Sequence, residues 1–209
     1  MSIYQHLVIH VAPRRAEAVA SQLLEAGLAG VQAHHGGRLF GVFKSEIGLS
    51  RDHIVLLVEW PDLRTATSGG PELLFGIEDL EIERDEVWEA TLRPDPEAVI
   101  EPMEGVFSHR WFDVADGDAE RFLELSDSAW GDWEADADNY VLGLWRSRST
   151  PAPDQTRFWL MAWYRNLAAW EGSRYWNRDA ADLGDGNTRL SERNQLVIDR
   201  GVSMLWRLG

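Results

Sequence analysis

His6-Leu7-Val8-Ile9-His10-Val11 can be laid over His109-Arg110-Trp111-Phe112-Asp113-Val114 at an offset of 103 residues, matching the first histidine, the last valine and the alternation between them. Further on, Phe40-Gly41-Val42-Phe43-Lys44-Ser45 meets Leu142-Gly143-Leu144-Trp145-Arg146-Ser147 at an offset of 102, keeping glycine, aromatic, cation and serine in order. A third match sets Val58-Glu59-Trp60-Pro61-Asp62-Leu63 over Ala162-Trp163-Tyr164-Arg165-Asn166-Leu167 at 104, with Asp62 and Asn166 placed to cap a following helix. Self-similarity at this period limits the fold before any local propensity is weighed, because each copy must be one repeatable unit.

Between the first two matches each copy carries a helical pattern. In copy one Val19, Leu23 and Leu24 recur at helical spacing after Pro13; in copy two Ala119, Phe122, Leu123, Ser126, Trp130 and Trp133 do so after Asp116 and Asp118. Copy one closes with an expected strand over Glu86 to Arg93. Copy two closes with one over Val202 to Leu208, after an arginine-rich helix around Leu190 to Asp199. The irregular patch Thr65 to Pro71 predicts a short or degraded second helix in copy one. The order is βαββαβ, so the fold class expected is α+β, two tandem ferredoxin-like units. Pro94, Pro96, Pro102 and Gly105 form a linker, since proline blocks both helix continuation and sheet pairing. It divides the chain into a first half over residues 1–97 and a second over 98–209.

Halves of this size can each bury a core, and 44% hydrophobic residues with 11 tryptophans argue for packed units with most tryptophans inside. A net charge of -15 opposes a phosphate backbone, so neither nucleic acid nor an anionic membrane is an expected partner. Lys44 is the only lysine, which reads as the habit of a GC-rich genome. Without cysteine there is no disulfide, thiolate nucleophile, zinc ribbon or iron–sulfur cluster. The first residues show no secretory pattern and no stretch has the length of a membrane span, which predicts a cytoplasmic, bacterial protein without membrane insertion.

The paired pattern of histidine-to-valine strand, helix, Leu142-Gly143-Leu144-Trp145-Arg146-Ser147, then Phe158-Trp159-Leu160-Met161-Ala162-Trp163-Tyr164 and Asn166-Leu167-Ala168-Ala169-Trp170 resembles the NIPSNAP-type branch of the dimeric α+β barrel superfamily. The second half carries most of this resemblance. It implies two ferredoxin-like units packed sheet to sheet, with helices outside and a ligand held between the sheets. The superfamily includes cofactor-independent monooxygenases, haem-dependent enzymes and small-molecule binders, so the fold transfers little chemistry.

Alternation along the first strand sends Leu7, Ile9 and Val11 one way and Tyr4, His6, Val8 and His10 the other. The aliphatic row is expected to face the helices. His6, His10, His109, Trp111 and Asp113 then share the opposite faces and become candidate ligand contacts. Trp145, Trp159 and Trp163 join them if the tryptophan row of the later strand faces the same way; the row Phe158, Leu160, Ala162 and Tyr164 is equally apolar, as in a strand buried on both sides. His109 is the candidate catalytic base, since a neutral imidazole suits proton transfer near pH 7.

No metal site is expected. His34-His35-Gly36-Gly37 reads as a turn, because adjacent histidines in a strand point apart, and Asp182, Asp185, Asn187 and Glu192 miss the spacing of a calcium loop. Three functions follow. One is a NIPSNAP-like protein that binds a small apolar or aromatic molecule; another is a cofactor-independent monooxygenase of the antibiotic-biosynthesis type. The third is a haem-binding protein with His6, His10 or His109 as axial ligand. No resident cofactor is predicted, haem being the one candidate, and homo-oligomerisation is an open partner.

Overall fold

A computed structural model describes residues 2–27, 36–74, 76–78, 80–95, 98, 103–135, 138–174 and 184–208. It is an α+β fold of antiparallel strands and helices. Contacts divide the chain into two compact units. The first comprises Met1–Ala90, Pro96–Met103 and Ser203–Gly209; the second comprises Thr91–Asp95 and Glu104–Val202. Among the described residues no helix is long and apolar enough to cross a membrane.

In the first unit, strand β1 (Ile3–Val11) lies between β3 (His53–Trp60) and β4 (Leu80–Arg93), and β2 (Arg38–Ile47) pairs on the other side of β3. Helix α1 (Ala16–Gln22), continued by a π-type turn over Leu23–Gly27, covers one face. Leu7, Ile9 and Val11 do face the helices, where they join Val19, Leu23, Ile54, Leu56 and Trp60 in one buried cluster.

Helix α2 (Leu63–Leu73) runs through the patch expected to be short or degraded. Its start is fixed by Asp62, whose carboxylate accepts from the Thr65 amide at 2.9 Å. These hydrogen bonds from Thr65 also hold the Asp62 carboxyl below its ordinary range. Gly69 and Gly70, which look like breakers in isolation, sit against the Trp60 ring and the Gln5 amide; a Cβ at either would collide. Small residues here bring the helix onto the sheet, and the Trp60 indole donates to Gln5 Oε1 at 3.0 Å in the buried seam.

In the second unit, β7 (Gln155–Tyr164) is central, paired with β5 (Val106–Ala115) and β6 (Asn139–Ser147). Helix α3 (Ala119–Ala135) buries Phe122, Leu125, Ala129 and Trp130. Asn166 caps the short α4 (Leu167–Gly172), accepting from the Ala169 amide. The arginine-rich helix lies earlier than expected, as α5 (Asp185–Gln195), and β8 (Val197–Arg207) begins where that helix was expected to continue. Leu196 ends α5, and Val197-Ile198 then starts a β-branched run suited to a strand.

Candidate functional site

In the second unit Phe112, Val114, Phe158 and Leu160 cluster with Phe122 and Trp130 of α3. Strand alternation therefore puts His109, Trp111, Asp113, Trp159, Met161 and Trp163 on the opposite face. A register shift between Val141 and Gly143 lets Val141 and Leu144 both face the helices, which turns Trp145 to the other side. There Trp145 stacks on Trp159, with ring centroids 4.5 Å apart, and His109 meets Trp159 edge-on at 5.1 Å. All three are buried.

Asp113 is held by Arg157 through two hydrogen bonds of 2.6 and 2.7 Å, and the same guanidinium lies 4.7 Å from the Trp111 ring. The Trp163 indole donates to the Glu104 carbonyl at the end of the sheet. His109, Trp145 and Trp159 thus form one group, Trp111 and Asp113 a second, and Trp163 stands apart.

In the first unit His6 is buried 3.7 Å from Glu86, and burial pulls its pKa down against the opposing pull of that carboxylate. It is neutral at pH 7. The His10 ring sits 5.1 Å from that of His53, which bonds Glu83 at 2.9 Å. His34, His35, Trp176 and Asp182 lie outside the described residues.

A cavity of about 290 Å³ lies within the second unit on the other side of its sheet, facing the helices. Its floor is Arg110, Phe112, Leu160 and Tyr164; its walls include Trp130, Trp133, Trp170 and Arg193. Arg110 donates to the Tyr164 hydroxyl at 3.4 Å. Arg193 is 5% exposed and lies 5.1 Å from the Phe112 ring and 5.3 Å from that of Phe122. Burial first, then Arg110 and Arg200, push its pKa down to about 9, so it is still charged at neutral pH.

None of the eight candidate contacts read from the sequence lines this cavity. They belong to the alternate row of the same strands or to the first unit. The overlooked signal was Arg110, a charge at the repeat position where copy one has Leu7. A histidine-ligated haem finds no imidazole here: the described lining residues include no histidine, and His109 points to the other face of β5. The described lining offers one phenol, Tyr164, whose hydroxyl accepts from Arg110.

No protein-family model matches the chain, and no curated protein matches it. Solved structures do. A provisionally assigned monooxygenase from Fusobacterium nucleatum aligns with a TM-score of 0.64 at 11% identity, covering 100% of this chain and 93% of that one. A haem-binding protein from Thermus thermophilus gives 0.61 at 12%, covering 100% and 91%. A mutant chlorite dismutase from Candidatus Nitrospira defluvii gives 0.61 at 8%, covering 100% and 92%. At such identities the likeness speaks for architecture alone, and what these proteins share with this chain is the ferredoxin-like fold of the dimeric α+β barrels.

Proposed function

We propose that this chain is a small-molecule-binding protein of the NIPSNAP-like type, whose compact aromatic ligand occupies the helix-side cavity of the second unit. The observation that carries this is the aromatic lining of that cavity by Phe112, Trp130, Trp133, Tyr164 and Trp170. Apolar pockets with a few convergent polar groups are the usual form of a ligand site, and tryptophan supplies broad contact at low entropic cost. On the opposite face of the same strands Trp145 packs against Trp159 and Trp159 against His109.

Leu190, half-buried on α5, lines the cavity and can be used to fill it. Ligand that copurifies with the wild-type chain, read by native mass spectrometry, is expected to be absent from Leu190→Trp while the melting temperature holds. The same ligand at the same occupancy in that variant would place it elsewhere.

The arrangement also favours a second reading, a cofactor-independent monooxygenase. Arg110 and Arg193 face the cavity with Asn194 beside them, and such donors would stabilise a phenolate formed from a bound electron-rich phenol before oxygen attacks. Oxygen uptake with a panel of hydroquinones checks this; turnover no faster than the background autoxidation removes it.

A further inference from the structure

We propose that the cavity of the second unit selects an aromatic carboxylate, gripping the ring with its tryptophans and the charge with Arg193 and Arg110. This rests on the cavity being the ligand site and adds the chemical class of what enters it.

Elsewhere in the second unit buried or half-buried arginines have acids. Arg93 meets Glu134 at 2.6 Å and Arg157 meets Asp113 at 2.6 Å. Arg193 has no such partner among the described residues. Its Nε makes no hydrogen bond, and Nη1 reaches only the Ser126 hydroxyl at 3.5 Å. The Arg110 Nε is likewise unbonded. In a chain with a net charge of -15, the described lining of this cavity includes Arg110, Arg174, Arg193 and Arg200 and not one carboxylate.

A buried cation without a counter-charge is costly, and contacts with two phenylalanine rings offset only part of that cost. The cation–π contacts hold Arg193 in place from one side. Arg193 and Arg110 both line the cavity with a nitrogen left unbonded, so a carboxylate on the ligand would supply the counter-charge that the described lining lacks. Arg174 is stacked on Trp170 at 3.8 Å and paired with Glu171 at 3.1 Å, so it extends the flat wall and leaves the charge to Arg193 and Arg110. A volume of about 290 Å³ stands at the small end for ligand pockets, which suits a fused ring with one acid group and is too tight for a nucleotide.

The test compares 1-naphthoate with its neutral counterpart 1-naphthylmethanol, titrated into the full chain at pH 7 and followed by tryptophan quenching and calorimetry. The acid is expected to bind about tenfold tighter or more, as charge-assisted hydrogen bonds allow. Arg193→Met and Arg110→Gln are each expected to bring that ratio close to one while the alcohol's affinity holds. Equal affinities in the wild type, or a ratio that survives both substitutions, would overturn the carboxylate assignment and leave the aromatic site standing. Binding of neither compound would remove the ligand site itself. If Arg193→Met fails to fold, the half-exposed Arg110→Gln carries the comparison alone.

Discussion

Leu7 and Arg110 stand at the same place in their strands. Leu7 pairs across to Leu56 and Arg110 to Leu160, both with side chains toward the helices of their own unit. In the first unit that row is aliphatic and closed: Leu7 is 1% exposed and Ile9 and Val11 are fully buried. In the second unit the row reads Arg110, Phe112, Val114, and its first residue opens onto a cavity. The helices differ accordingly. Gly69 and Gly70 let α2 settle directly on Trp60 and Gln5, whereas α3 presents the bulk of Trp130 and Trp133, and α5 brings Arg193. One scaffold has been filled for stability and its counterpart left hollow and charged, which is where function should be sought.

The largest expected effect comes from exchanging the two residues. Leu7→Arg drives an unpaired charge into a closed aliphatic cluster and should cost about 3–5 kcal/mol or abolish the cooperative transition in urea. Arg110→Leu should leave that transition unchanged or raise it by about 1 kcal/mol, while weakening naphthoate. Equal damage from both would end the contrast.

Next in size are the paired glycines. A Cβ on Gly41 would strike the Phe43 ring, and one on Gly143 the Trp145 ring. Both glycines follow a register shift in pairing with the neighbouring strand, between Leu39 and Gly41 and between Val141 and Gly143. Gly143→Ala should cost about 1–3 kcal/mol by denaturation, more than Gly41→Ala, because the stacked indole has less room to yield.

A smaller effect, read by pH, belongs to the first half. With its pKa lowered by burial, His6 is neutral in the folded chain and protonates more readily when unfolded, so the unfolded state binds more protons below the ordinary histidine range. Stability should therefore fall as pH drops below about 6.5 toward the folded pKa. His6→Gln should flatten the slope of melting temperature between pH 7 and 5; an unchanged slope would assign it to other groups.

Smallest of all is the matched pair of surface bridges. Lys44 bonds Glu17 at 2.9 Å in the first unit and Arg146 bonds Glu120 at 2.7 Å in the second, each from the second strand to the first helix. Lys44→Ala and Arg146→Ala should leave the denaturation midpoint almost where it is, since exposed ion pairs contribute little.

Much of this architecture is legible in the chain because it depends on period. Alternation in Leu7, Ile9 and Val11 gives the helix-facing row of β1, and Asp62 and Asn166 announce their helices by chemistry that is purely local. The helix over Leu63–Leu73 is less legible: its glycines look like breakers until Trp60 and Gln5, distant in sequence, supply the reason for them. The cavity was hidden for a similar reason. Histidines and tryptophans draw the eye to one row of β5 and β7, yet the tryptophans there pack on one another. Arg110 gains meaning only when Arg193, from the far end of the chain, arrives beside the same space without an acid. Emptiness has no sequence signature, but a charge where the other copy has leucine is a trace of it.

The place of β8 in the sequence also bears on how the chain is made. Ser203–Gly209 belong with the first unit, where Phe43 pairs with Arg207 and Lys44 with Trp206. A ribosome therefore releases this piece of the first unit only after it has made the whole of Glu104–Val202. The first unit therefore closes only after the second has been made, and until then the edge of β2 waits without the strand residues Met204–Arg207 that pair with it, an interval in which an open strand edge is exposed to other chains.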